Sequence, residues 1–171
     1  MILNRQRRVK LSISKLEKFL VRARKELCLP ANSFAVCLVT EKEIAKWNGA
    51  YRGKARPTDV LSFPAADLRP SNASRAGGKG KKARRKIAPS LSNEFFVPTA
   101  ENSASADYLG DVAIAPAVAR RNAKRFERTL EEEMRILILH GMLHLMGYDH
   151  ETDSGQMERR EWRLRRSLGL A

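Results

Sequence analysis

The stretch Thr129–His150, TLEEEMRILILHGMLHLMGYDH, decides how the rest of this chain must be arranged. Thr129 and Glu132 have the spacing of a capping box, in which each side chain satisfies the other's free backbone amide at a helix start. From Met134 onward the segment is strongly apolar, so its helix is buried on most of its surface and reaches the core with histidines on it. Gly147 marks the C-terminal end, because glycine accepts the left-handed backbone on which helices commonly close.

Outward from this helix, shorter elements can be read. YLGDVAIAP, from Tyr108, reads as a strand, with Pro116 opening a helix that runs to about Phe126. Phe34–Thr40 is short, apolar and rich in β-branched residues, which predicts a buried strand, and Thr40 with Glu43 makes another capping box for a short helix. TDVLSFP, after Pro57, is strand-like, and Ile2–Leu11 suits an edge strand. Leu16, Phe19, Leu20, Ala23 and Leu27 recur at helical spacing, with Ser14 and Glu17 marking the start and Pro30 barring continuation. Glu151–Leu168 reads as a last amphipathic helix with Met157, Trp162, Leu164 and Leu168 as apolar contacts. The order predicts an α/β (α+β) domain: a small mixed sheet covered by helices, with the histidines on a buried helix and the turn after it.

The 171 residues suit one domain, 1–171. Between about Ala65 and Asp107 apolar periodicity vanishes and Ser, Ala, Gly, Pro, Lys and Arg dominate, which predicts a mobile basic insertion at about 68–105, with Asn93–Val97 (NEFFV) as a short strand near its end. Thirty-three Lys and Arg against 19 Asp and Glu give a net charge of +14. Eight basic residues lie between Arg69 and Lys86, and subtracting them still leaves +6. Such a charge attracts polyanions through counterion release. No apolar run approaches a membrane span and the N-terminus lacks a signal-like stretch, so the expected location is the cytoplasm. Cys28 and Cys37 lack CxxC spacing and are expected to be two buried, reduced thiols.

Every histidine of the chain lies in His140–His150. Four helical residues turn through about 400°, so His140 and His144 share one face, and the break at Gly147 lets His150 fold back as a third ligand. Three imidazoles suit Zn2+ and leave its fourth position to water, the arrangement of a catalytic and not a structural ion. Asp149 could be a fourth ligand, a partner orienting a ligating histidine from behind, or a plain helix-end residue, and the second role is preferred. Zinc in such a site favours hydrolysis. A peptidase helix carries Glu directly after its first histidine as general base. Here that position is Gly141, which argues against a peptide substrate and suggests room for substrate beside the metal. In a loop before a strand, Arg52 is flanked by Lys54 and Arg56; a guanidinium there can grip a phosphate with two hydrogen bonds. Asp59 and Asp111 fit either a cleft or turn and capping roles.

HGMLHLMGYDH, with YRGKARPTDVLSFP (Tyr51–Pro64) and LGDVAIAP (Leu109–Pro116), resembles the YbeY-type endoribonucleases, also described as ribosomal RNA maturation factors. The blocks stand in the family's order, and the likeness covers the chain except the basic insertion. The resemblance implies an α/β fold with one Zn2+ held by His140, His144 and His150, and a functionally important arginine at Arg52. It also implies single-strand-specific RNA cleavage, 16S ribosomal RNA 3′-end maturation and contact with the ribosome or its small-subunit proteins. Two departures stand out: Trp47 where an aliphatic residue is usual, and the long insertion. Within the basic segments, Lys54, Arg56, Lys81, Lys82, Arg84 and Arg85 are candidate RNA contacts. A metal-stabilised RNA-binding assembly factor without turnover is the alternative reading, and a metallopeptidase a more distant one.

Overall fold

A computed structural model describes residues 1–65 and 107–170. The candidate contacts Lys81, Lys82, Arg84 and Arg85 and the expected strand Asn93–Val97 lie outside them. The elements follow in the order β1 (Ile2–Asn4), α1 (Ile13–Glu26), β2 (Phe34–Leu38), α2 (Glu41–Arg52), β3 (Val60–Pro64), β4 (Gly110–Ile114), α3 (Pro116–Arg125), α4 (Leu130–Leu145) and α5 (Gln156–Leu168). The strands form one mixed sheet in the order β1-β2-β4-β3. β1, β2 and β4 run parallel, whereas β3 pairs antiparallel with β4 and sets Ser62 opposite Val112.

Alternation along the strands supplies both faces. Phe34, Val36, Leu38, Val112 and Ile114 enter the larger core with α1, α4 and α5. Cys37, Val39, Leu61, Phe63, Ala113 and Ala115 turn the other way, onto Ile44 and Trp47 of α2. Trp47 meets Phe63 edge to face, with ring centroids 6.1 Å apart. The aromatic residue that departs from the usual aliphatic is therefore a core residue of this face.

Within the larger core α4 lies against β3, β4, α1, α3 and α5. Met134, Ile138, Leu139, Met142 and Leu143 are almost wholly withdrawn from water, each contributing about 1.5–3 kcal/mol. Gly141 allows the helix to approach the sheet. A Cβ there would stand 2.6 Å from Val112 Cγ1 and 2.9 Å from its Cγ2, and Ser62 Oγ donates to the Gly141 carbonyl at 3.2 Å. The glycine therefore serves helix–sheet contact and makes no room for substrate, contrary to the expectation from sequence.

The capping boxes at Thr40 and Thr129 form with both reciprocal bonds. The box expected at Ser14 does not: Ile13 packs on the core, so α1 begins earlier, with Ser12 at its N-cap. The expected edge strand contracts to Ile2–Asn4. The last helix starts at Gln156 and not Glu151, because the Asp153 carboxylate accepts from the amides of Gly155, Gln156 and Met157 and ends the preceding turns. Its buried stripe is Met157, Glu161, Leu164 and Leu168, and Trp162, turned away from that stripe, is exposed. Cys28, at φ 55° just past α1, is exposed, while burial pushes the Cys37 thiol up to about 12. Among the described residues no helix is long and apolar enough to cross a membrane.

Asp111 is fully buried on β4. Tyr108 donates its hydroxyl to Oδ1, and Oδ2 has no hydrogen-bond partner among the described residues. Burial pushes this carboxyl up to about 7, against the downward pull of the Tyr108 bond.

Two outcomes follow from this packing. Gly141→Ala should lower stability by about 1–3 kcal/mol in urea unfolding, since branched Val112 cannot turn both methyls away; unchanged stability would contradict the close approach. Asp111 keeps its proton to higher pH when folded than the roughly 4 of an unfolded carboxyl, so native stability falls as pH rises from about 4 to 7. Over that window Asp111→Asn should gain about 2–4 kcal/mol on the wild type, beside any constant offset. Parallel stability profiles for the two proteins would refute the assignment.

Candidate metal centre

The C-terminal half of α4 presents His140 and His144 one turn apart, on a side not occupied by the sheet. At Met146 the helix stops, and Gly147 follows with φ +90°. The Tyr148 amide then bonds back to the Leu143 carbonyl at 3.1 Å. The chain reverses and carries His150 to the other two rings. Ring centroids are separated by 4.7 Å for His140 and His144, 5.3 Å for His140 and His150, and 5.2 Å for His144 and His150.

One nitrogen from each ring lies within 4.8 Å of the others, and the Nε2 atoms of His140 and His144 are 3.1 Å apart. Two nitrogens bound tetrahedrally at about 2.0–2.1 Å would stand about 3.3 Å apart, so the His140–His144 pair matches a small ion and His150 lies within reach of it. Without one, two facing imidazole nitrogens satisfy at most one hydrogen bond between them. Burial, then repulsion from His140 and His150, lowers the pKa of His144. Both causes favour the neutral ring, the form that ligates.

Asp149 does not take the expected place behind a histidine. Its carboxylate accepts from the Glu151 amide at 3.0 Å and the Thr152 hydroxyl at 3.1 Å, holding the turn that carries His150. The group behind a histidine is Glu161 of α5, whose Oε2 is 3.1 Å from His140 Nδ1, and whose Oε1 accepts from Arg165. Sequence reading passed over it, although a carboxylate within the stripe of Met157, Leu164 and Leu168 was its available signal.

Arg52, at the C-terminal end of α2, is brought to the same side. Its guanidinium donates to Glu151, directly after His150, at 2.6 Å. Lys54 and Arg56 are exposed on the loop that follows. Asp59 and Asp111 serve structure. Asp59 accepts from the Val60 amide and from Asn122, both at 2.9 Å, tying β3 to α3. Asp111 lies on the sheet face of Cys37, opposite α4.

A family model described as Endoribonuclease YbeY matches residues 1–169. Among curated relatives, the Endoribonuclease YbeY of Solibacter usitatus is 35% identical over 155 residues, covering 91% of this chain and 78% of the relative. That of Koribacter versatilis is 33% identical over 170 residues, covering 99% and 86%. A solution structure of Thermotoga maritima TM1509 shares the fold at a TM-score of 0.53 and 24% identity, covering 98% of this chain and 89% of that one.

If the three rings share an ion, Zn2+ at about a hundred times its dissociation constant should stabilise the protein by about 2.7 kcal/mol. His144→Ala should lose most of this gain. Thermal unfolding with and without Zn2+ measures both; equal gains in the two proteins would place the ion elsewhere.

Proposed function

Since this chain belongs to the Endoribonuclease YbeY family, we propose that it is a zinc-dependent, single-strand-specific endoribonuclease acting on ribosomal RNA, in 16S 3′-end maturation and ribosome assembly. The carrying observation is the convergence of His140, His144 and His150, with Arg52 tied to the residue after the third. Bound there, Zn2+ supplies a Lewis acid for a phosphoryl oxygen and lowers the pKa of water to about 7.

The protein's own groups bind and orient. Arg52 can offer two parallel N–H donors to the scissile phosphate and stabilise charge developing on its oxygens. Its partner Glu151 presents little obstacle. With side chains 42% and 58% exposed, this is a surface pair of about 0–1 kcal/mol, which a phosphate can displace. Lys54 and Arg56 continue the positive charge along the loop after α2. The basic segment with Lys81, Lys82, Arg84 and Arg85 adds salt-sensitive attraction to the RNA backbone without reading bases. A cytoplasmic location, with the ribosome as partner, follows from that substrate. Gly141, packed on Val112, offers no general base of the peptidase kind.

Single-stranded RNA should be cut by the zinc-loaded protein, spared after chelation and cut again when Zn2+ is restored. Arg52→Ala should lower kcat/KM by about a hundredfold or more while bound zinc stays at one per chain. Cleavage indifferent to chelator would sink the proposal, and full activity in the Arg52 variant would remove that residue from it.

A further inference from the structure

We propose that Glu161 is a positioning residue of the metal centre, fixing His140 in the tautomer that turns Nε2 toward the ion. The proposal rests on reading the three histidines as ligands.

Glu161 stands among Met157, Leu164 and Leu168 on the buried stripe of α5, at 8% exposure. An apolar side chain would pack there without loss of hydration, so a carboxylate in this position needs partners. It has one for each oxygen: His140 Nδ1 at Oε2, and Arg165, one turn along α5, at Oε1. Arg165 forms an ion pair with it, so the acceptor beside Nδ1 is a carboxylate compensated by a guanidinium.

A carboxylate accepts only, so Nδ1 must carry the proton and Nε2 the lone pair. Nε2 is also the atom 3.1 Å from Nε2 of His144, on the side where the donors gather. One contact thus selects the tautomer, holds the ring plane and makes the ligating nitrogen more basic. Arg165 fixes the carboxylate's own orientation. Because Glu161 belongs to α5, the docking of that helix on α4 becomes part of the metal site, although α5 supplies no ligand.

The test needs no RNA. Zinc affinity is read by chelator competition on the full chain, and the His140 tautomer by 15N chemical shifts of the metal-free protein. Glu161→Leu should bind zinc about 10- to 100-fold more weakly. Nδ1 of His140 should carry the proton in the wild type and lose that preference in the variant. Should Glu161→Leu fail to fold, Glu161→Gln decides alone: its neutral amide is a weaker acceptor and should weaken binding about three- to tenfold. Affinity within twofold of wild type in the folded variant, or His140 protonated at Nε2 in the wild type, overturns the proposal. Wild-type protein that binds no zinc overturns the ligand reading as well, and so separates the two failures.

Discussion

The burial of α4 is the constraint on which the rest depends. Its apolar residues cannot meet water, so the sheet must lie on one side and α1, α3 and α5 on others. Once it is enclosed, the helix has little freedom to rotate or slide. Contact between the Gly141 backbone and Val112 fixes its distance from β4, and the Ser62 hydrogen bond fixes its height along β3. Histidines on a helix held this firmly have defined positions before any ion arrives. Preorganisation of the three rings is thus a by-product of core packing.

Electrostatics then adds what packing cannot. The chain is strongly basic, yet the side chains that shape the centre from behind are acidic: Glu161 behind His140, Asp149 under the turn, and Glu151 against Arg52. Each has a different task. One orients a ring, one folds a loop, and one brings a guanidinium within reach of the same side.

How much of this could be read from the residues depends on range. The capping boxes at Thr40 and Thr129 are three-residue patterns and were legible, as was Pro116 at a helix start. Ser14 had the same spacing and misled, because tertiary packing of Ile13 starts the helix earlier. The histidine cluster was legible because helical period and one glycine suffice to bring the rings together. Trp162 misled because its hydrophobicity drew more weight than helix phase: it stands about 140° round from Met157. Glu161 escaped because its partner lies one helix away, and Gly141 was misassigned because nothing in its neighbours announces Val112.

The closeness of the three histidines in the sequence has a thermodynamic corollary. His140, His144 and His150 fall within eleven consecutive residues, most of them already helical. Joining ligands so near one another closes only short loops and removes little entropy from the unfolded chain, in contrast to the pairing of Phe34 with Gly110 in the sheet. An ion bound here would therefore anchor one turn and its helix end to a scaffold that already stands, and its removal would leave the domain folded.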